Sequence, residues 1–170
     1  MKSPLFSIII PVYNRPQEVQ ELLESLTLQT SGGFEVIIVE DGSTVKCEDI
    51  VKGFADKLSI FYYPKENGGP AAARNFGATK ASGEWLIFFD SDCIIPANYI
   101  ANAISELQHK ECQLFGGADR SHPSFTPLQK AIDYSMTSII TTGGIRGNKR
   151  SADKFYPRTF NMGIKKEVFN

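Results

Sequence analysis

Four short apolar runs, each followed by a stretch with helical spacing, limit what this chain can fold into. Leu5–Val12, Phe34–Val39, Leu58–Tyr63 and Trp85–Phe89 are dense in branched aliphatic and aromatic residues. Continuous apolar runs of this length read as strands buried on both faces, the pattern of a parallel sheet. Between the first two, Val19, Leu22, Leu23 and Leu26 recur at helical spacing after Pro16, whose missing N–H suits a first helical turn. Cys47–Ala55 reads as a short second helix. Gly68-Gly69-Pro70 leads into a third, Ala71–Ala81, which ends at Ser82-Gly83. Pro96–His109 reads as a fourth helix and Cys112–Phe115 as a fifth strand. Alternating strands and helices with short connections predict an α/β fold: one structural domain, its mostly parallel sheet flanked by helices. Beyond Gly117 the regularity fades. Phe125–Ile140 has helical pattern broken by Pro127, and Thr141–Lys154 reads as a loop. Phe155–Ile164 returns as a strand, with Lys165–Phe169 opening a helix.

The 170 residues suffice for one domain with a real core, and 42% hydrophobic with 22% charged residues is ordinary for a globular protein. No stretch reaches the length of a transmembrane helix, and no signal peptide is expected before Leu5. The net charge of −1 argues against a nucleic-acid binder driven by phosphate neutralisation. The charge is unevenly placed. Residues 1–145 carry 11 Lys+Arg against 17 Asp+Glu, whereas 146–170 carry 7 against 2. That basic stretch suits a solvated face, or contact with phosphates or an anionic membrane surface. Cys47, Cys93 and Cys112 form no paired motif and no zinc pattern with His109 or His122. Reduced thiols in the cytoplasm are the simplest account.

In open α/β sheets ligands bind at the carboxyl ends of the strands. Three polar segments fall there: Pro11-Val12-Tyr13-Asn14-Arg15, Glu40-Asp41-Gly42-Ser43 and Asp90-Ser91-Asp92. All three map to one sheet edge and describe one pocket. Residues i and i+2 of a strand share a face, so Asp90 and Asp92 are expected to converge. Like charges that close need a cation, and Mg²⁺ or Mn²⁺ suits carboxylates that also meet a phosphate. Tyr13 offers a flat face for a base, and Asp41 an acceptor for a base N–H. Asp90 can accept from ribose hydroxyls. Gly68 and Gly69 allow close backbone approach, the following helix presents its positive end, and Arg74 is one turn inside. There is no GxxxxGK[ST] loop and no GxGxxG after the first strand.

These blocks resemble a known family. Ser7-Ile8-Ile9-Ile10-Pro11-Val12-Tyr13-Asn14 is similar to the opening of the inverting glycosyltransferases of family 2, which have the GT-A fold (Rossmann-like, nucleotide-diphospho-sugar transferase). Ile37-Ile38-Val39-Glu40-Asp41-Gly42-Ser43 resembles their second block, with Glu40 where Asp is common. Asn67-Gly68-Gly69-Pro70-Ala71-Ala72-Ala73-Arg74-Asn75 resembles the third. The run from Gly83 to Asp92 resembles the fourth, with its acid-x-acid (DXD) motif. Phe160-Asn161-Met162-Gly163 extends the match loosely. The resemblance implies a nucleotide-sugar donor, most often UDP-linked, and a saccharide or lipid-linked acceptor in surface polysaccharide or glycolipid synthesis. It implies Mg²⁺ or Mn²⁺ on Asp92 with Asp90 beside it. It also implies uracil contacts from Tyr13 and Asp41, ribose contact from Asp90 and diphosphate contact from Arg74. Pro11, Asn14, Arg15, Glu40, Gly69 and Ser91 complete the expected donor-binding set, and Glu40 in place of Asp is expected to matter little.

On this reading 1–117 form the donor-binding half and 118–170 begin the acceptor side. The family's catalytic base follows a Gly-Phe-Asp-Glu-like segment that would start where the sequence reaches Asn170. The base is therefore expected beyond Asn170, in a longer enzyme; Asp119 and Asp133 match no base motif. The chain is expected to act in the cytoplasm, with 146–170 available for peripheral membrane contact. The alternative is a non-catalytic nucleotide-sugar-binding module. A sugar-phosphate nucleotidyltransferase would carry a glycine-rich loop after the first strand, which Pro11–Arg15 is not.

Overall fold

A computed structural model describes residues 4–117, 126–137 and 159–169. Six strands form one sheet: β1 Phe6–Val12, β2 Phe34–Asp41, β3 Ile60–Lys65, β4 Trp85–Phe89, β5 Leu114–Gly116 and β6 Asn161–Lys165. The helices are α1 Pro16–Thr27, α2 Glu48–Lys52, α3 Gly69–Lys80, α4 Tyr99–His109, α5 Pro127–Thr137 and α6 Lys166–Phe169. The order across the sheet is β3-β2-β1-β4-β6-β5. β1 pairs in parallel with β2 and β4, and β2 with β3. β6 runs antiparallel between β4 and β5.

Side-chain alternation along the strands divides the core into two layers. Phe6, Ile8, Ile10 and Val12 of β1 pack with Val19, Leu22, Leu23 and Leu26 of α1, Val51 of α2 and Ile100 of α4. On the other face Ile9, Ile37, Val39, Leu86 and Phe88 meet Ala73 and Ala78 of α3. α3 lies close because Gly77 faces the sheet: a Cβ there would stand 2.5 Å from Ile9 Cγ2 and 3.1 Å from Val39 Cγ2. At the amino ends of the strands, buried Glu35 accepts from Ser7 Oγ (2.6 Å), Ser82 N–H (2.6 Å) and Ser82 Oγ (2.9 Å), tying β1, β2 and the α3–β4 turn together.

Several elements differ from the sequence expectation. β2 runs two residues past Val39, so Glu40 and Asp41 pair with Pro64 and Lys65 of β3 rather than leading out of the sheet. β3 reaches through Pro64 to Lys65; it is an edge strand, where proline is tolerated. α2 spans only Glu48–Lys52, and α4 starts at Tyr99, three residues after Pro96. Pro127 does not break a helix but begins one. β6 inserts between β4 and β5, an order that strand sequence does not dictate. The sheet stays parallel in its β3-β2-β1-β4 part, and that part brings four strand ends to one edge.

Candidate donor-binding site

Val12, Asp41, Lys65 and Phe89 end the four parallel strands side by side. The loops beyond them enclose a cleft of about 370 Å³, within the size range of small-molecule sites. It is lined by Pro11, Val12, Tyr13, Arg15, Asp41, Asn67, Gly69, Pro70, Arg74, Asp90, Ser91 and Asp92. Nine of the eleven donor-site candidates therefore meet in one place. Asn14 and Glu40 do not line it.

Asn14 and Glu40 instead hold the walls. Asn14 has φ 54°, a left-handed conformation that asparagine tolerates better than most residues. Its Oδ1 accepts from Thr44 N–H (2.8 Å), Val45 N–H (3.0 Å) and Thr44 Oγ1 (3.0 Å). Its own N–H donates to Ser43 Oγ at 2.8 Å, and Ser43 Oγ–H donates to Glu40 Oε1. Glu40 is buried, and its Oε2 accepts from Cys47 N–H (2.8 Å) and Tyr62 O–H (3.2 Å). This chain of bonds fixes the loop after β2 against the loop after β1. Burial first, then the Glu40 charge, pushes the Tyr62 hydroxyl and the Cys47 thiol well up, so both stay neutral.

Asp41 is buried at the base of the cleft. Oδ1 accepts from Lys65 Nζ (2.5 Å) and Gly68 N–H (3.0 Å), and Oδ2 from Gly69 N–H (2.7 Å). Burial pushes its pKa up, but the Lys65 ammonium and the two amides outweigh that and hold the carboxyl below the ordinary range. It thus stays an ionised acceptor, and Oδ2 keeps lone-pair capacity toward the cleft. Gly42, φ 74°, turns the chain out of β2 directly under Asn67, whose Nδ2 donates to the Asp41 carbonyl at 2.8 Å. Lys65 was not singled out by its sequence context. The only signal for it was a lysine at a strand end opposite an acid, visible once the β2–β3 register is known.

The acid-x-acid triplet sits in a turn beyond β4, closed by Cys93 N–H donating to the Asp90 carbonyl at 3.3 Å. Strand alternation therefore does not set the directions of its two carboxylates; the turn does. Each has a guanidinium partner. Arg74 Nη2 donates to Asp90 Oδ1 at 2.5 Å, and Arg15 Nη1 to Asp92 Oδ2 at 2.9 Å. The Arg74 side chain is only 13% exposed, and its buried Nε finds no hydrogen-bond partner among the described residues. An unpaired buried donor on a cation costs free energy. Tyr13, in contrast, is 54% exposed at the cleft mouth, an aromatic face without protein cover.

The donor set suits a hard divalent cation of the substrate-sharing kind. Such an ion takes one or two carboxylates and completes its shell with phosphate and water. Asp90 and Asp92 supply two, and among the described residues no group of three or more His, Cys, Asp or Glu could hold a metal by itself.

Comparison with known proteins agrees with this geometry. Residues 7–170 match the model of glycosyl transferase family 2. A glycosyltransferase of Rickettsia bellii is 45% identical over 142 residues, which cover 84% of this chain and 19% of that protein. Glycosyltransferase GlyG of Streptococcus pneumoniae is 30% identical over 99% of this chain and 59% of its own length. The chain thus spans only part of these relatives. Among solved structures, S. aureus TarS 1–349 in complex with UDP superposes with a TM-score of 0.66 at 30% identity, covering 71% of this chain and 37% of that one. The same protein in complex with UDP-GlcNAc gives the same score and identity. With its sheet order, its cleft at the parallel strand ends and these matches, the chain belongs to glycosyl transferase family 2 and has the GT-A fold.

Proposed function

We propose that this chain is the donor-binding part of an inverting glycosyltransferase that takes a UDP-sugar with Mg²⁺ or Mn²⁺. The observation that carries the reading is the pairing of part-buried Arg74 with Asp90 in a cleft that also holds Asp92, Asp41 and exposed Tyr13. Tyr13 stacks on the base, and Asp41 Oδ2 accepts the base N–H, an interaction uracil offers through its imide. Asp90 turns to the ribose, and Arg74 supplies N–H donors to the diphosphate. Asp92, with Asp90 beside it, would hold the metal. A bound Mg²⁺ or Mn²⁺ supplies charge stabilisation to the departing diphosphate. TarS, a relative at 30% identity, was solved with UDP and with UDP-GlcNAc, which supports the choice of nucleotide.

Inversion further needs a carboxylate base to deprotonate the acceptor hydroxyl as it attacks opposite the diphosphate. No described residue is assigned that role. The acceptor is a saccharide or lipid-linked sugar of a surface polysaccharide or glycolipid, with 1–117 on the donor side and 118–170 toward the acceptor. The three cysteines, widely spaced and odd in number, suit a reducing, cytoplasmic setting. Among the described residues no helix is long and apolar enough to cross a membrane. Peripheral contact through 146–170 rests on its charge, and only 159–169 of that stretch lie within the described residues.

A screen of UDP-, GDP- and dTDP-sugars with Mn²⁺ by thermal unfolding tests the donor class. A ligand at about 100 times its Kd stabilises the native state by about 2.7 kcal/mol. UDP-sugars are expected to raise Tm by several degrees and the others by less. A larger shift with GDP-sugars would reassign the base site.

A further inference from the structure

The two guanidinium–carboxylate pairs at the triplet are not equivalent. Arg74 comes from α3 and is packed in place, whereas Arg15 lies on the short connection between β1 and α1. Its side chain is 48% exposed and that of Asp92 is 53% exposed. Exposed pairs of this kind are weak and exchange readily. Arg15 has a second acid in reach, Glu18 Oε1 at 3.9 Å, so it has somewhere to go when Asp92 is taken. It also lines the cleft, within which the planar fork of a guanidinium matches a phosphate.

We propose that Arg15 is a placeholder cation that exchanges between Asp92 and the donor's diphosphate. This rests on the donor-site reading above. Without ligand, Arg15 neutralises Asp92. A divalent ion on Asp92 must displace it, because two cations on one carboxylate repel. The released guanidinium then turns to the diphosphate as a positioning residue. By reciprocity, a diphosphate that draws Arg15 away must tighten metal binding by the factor with which the metal tightens diphosphate binding. Arg15 thereby biases the site against free metal and toward metal that arrives with nucleotide.

The proposal predicts effects of opposite sign from one substitution. Mn²⁺ binding is read by electron paramagnetic resonance without nucleotide, and UDP binding by calorimetry at saturating Mn²⁺. Arg15→Ala is expected to bind Mn²⁺ alone about three- to fivefold tighter, the scale of one exposed ion pair, and UDP about tenfold weaker, the scale of a lost charge-assisted bond. Arg15→Lys keeps the charge and should leave Mn²⁺ affinity near the parent's while still weakening UDP. Asp92→Asn should remove the Mn²⁺ signal in both backgrounds. A general loss of structure would weaken both ligands together, and Arg15→Gln, which keeps length without charge, repeats the test. Mn²⁺ affinity unchanged or weakened in both Arg15→Ala and Arg15→Gln overturns the proposal, as does Mn²⁺ binding that survives Asp92→Asn. If the parent binds neither Mn²⁺ nor UDP, the donor-site reading itself fails; if the parent binds both and only the sign pattern is missing, the exchange alone fails.

Discussion

Arg74→Ala is expected to weaken UDP binding by roughly two orders of magnitude while leaving the fold intact. The guanidinium is largely covered, its Nη2 is committed to Asp90 at 2.5 Å, and its Nε has no partner among the described residues. Truncation removes the donors proposed for the diphosphate and leaves Asp90 without its counter-charge. The pair is part-buried, with the Asp90 side chain 40% exposed, and a hydrogen bond to a charged group contributes about 1.5–3 kcal/mol. Lysine is a poor replacement, because a compact ammonium cannot reproduce a fork that spans two acceptors. Arg74→Lys should recover less than half of the lost binding free energy in calorimetry. Wild-type affinity in Arg74→Ala would mean that the guanidinium only holds the turn after β4.

Gly42→Val is expected to destabilise the chain by about 3 kcal/mol or more. The residue has φ 74°, where a side chain costs about 1–2 kcal/mol. A Cβ would also stand 2.6 Å from the backbone nitrogen of Asn67 and 2.8 Å from its Cβ. Neither is the free end of a flexible side chain, so the β3–α3 loop must move, adding overpacking strain of about 1–3 kcal/mol. That loop carries Gly68 and Gly69, whose N–H groups hold Asp41. Stability and UDP affinity should therefore fall together, the first read by urea denaturation. Gly42→Ala should show the same pattern, less severely.

Much of this architecture was legible in the sequence because it depends on local pattern. Apolar runs gave β1 and β4 to within one residue, and the start but not the end of β2, since strands buried on both faces leave little room for polar substitution. Three polar segments at strand ends gave the cleft, because a parallel sheet aligns its carboxyl ends whatever the loops contain. Long-range pairing was less legible. The insertion of β6 between β4 and β5 leaves no trace in local spacing. Glu40 and Asp41 looked alike as neighbouring acids beside a glycine, yet they point opposite ways from β2. Asp41 meets Lys65 and α3 at the cleft, while Glu40 ties down Ser43, Cys47 and Tyr62 behind it. They separate because β2 continues through both, and adjacent strand residues face opposite sides. The triplet lies just beyond β4, where the apolar run ends, but strand alternation does not aim its carboxylates. Its acids lie in a turn, and arginines from two different elements neutralise them.

The triplet and its arginines are proposed to form a metal-assisted diphosphate site. Calorimetric titration of the unmodified chain with UDP, once with Mn²⁺ and once with EDTA, tests it most directly. Saturable binding is expected with Mn²⁺, and at least tenfold weaker binding with EDTA, about 1.4 kcal/mol or more of metal dependence. Equal affinity under both conditions, or no UDP binding under either, would contradict it.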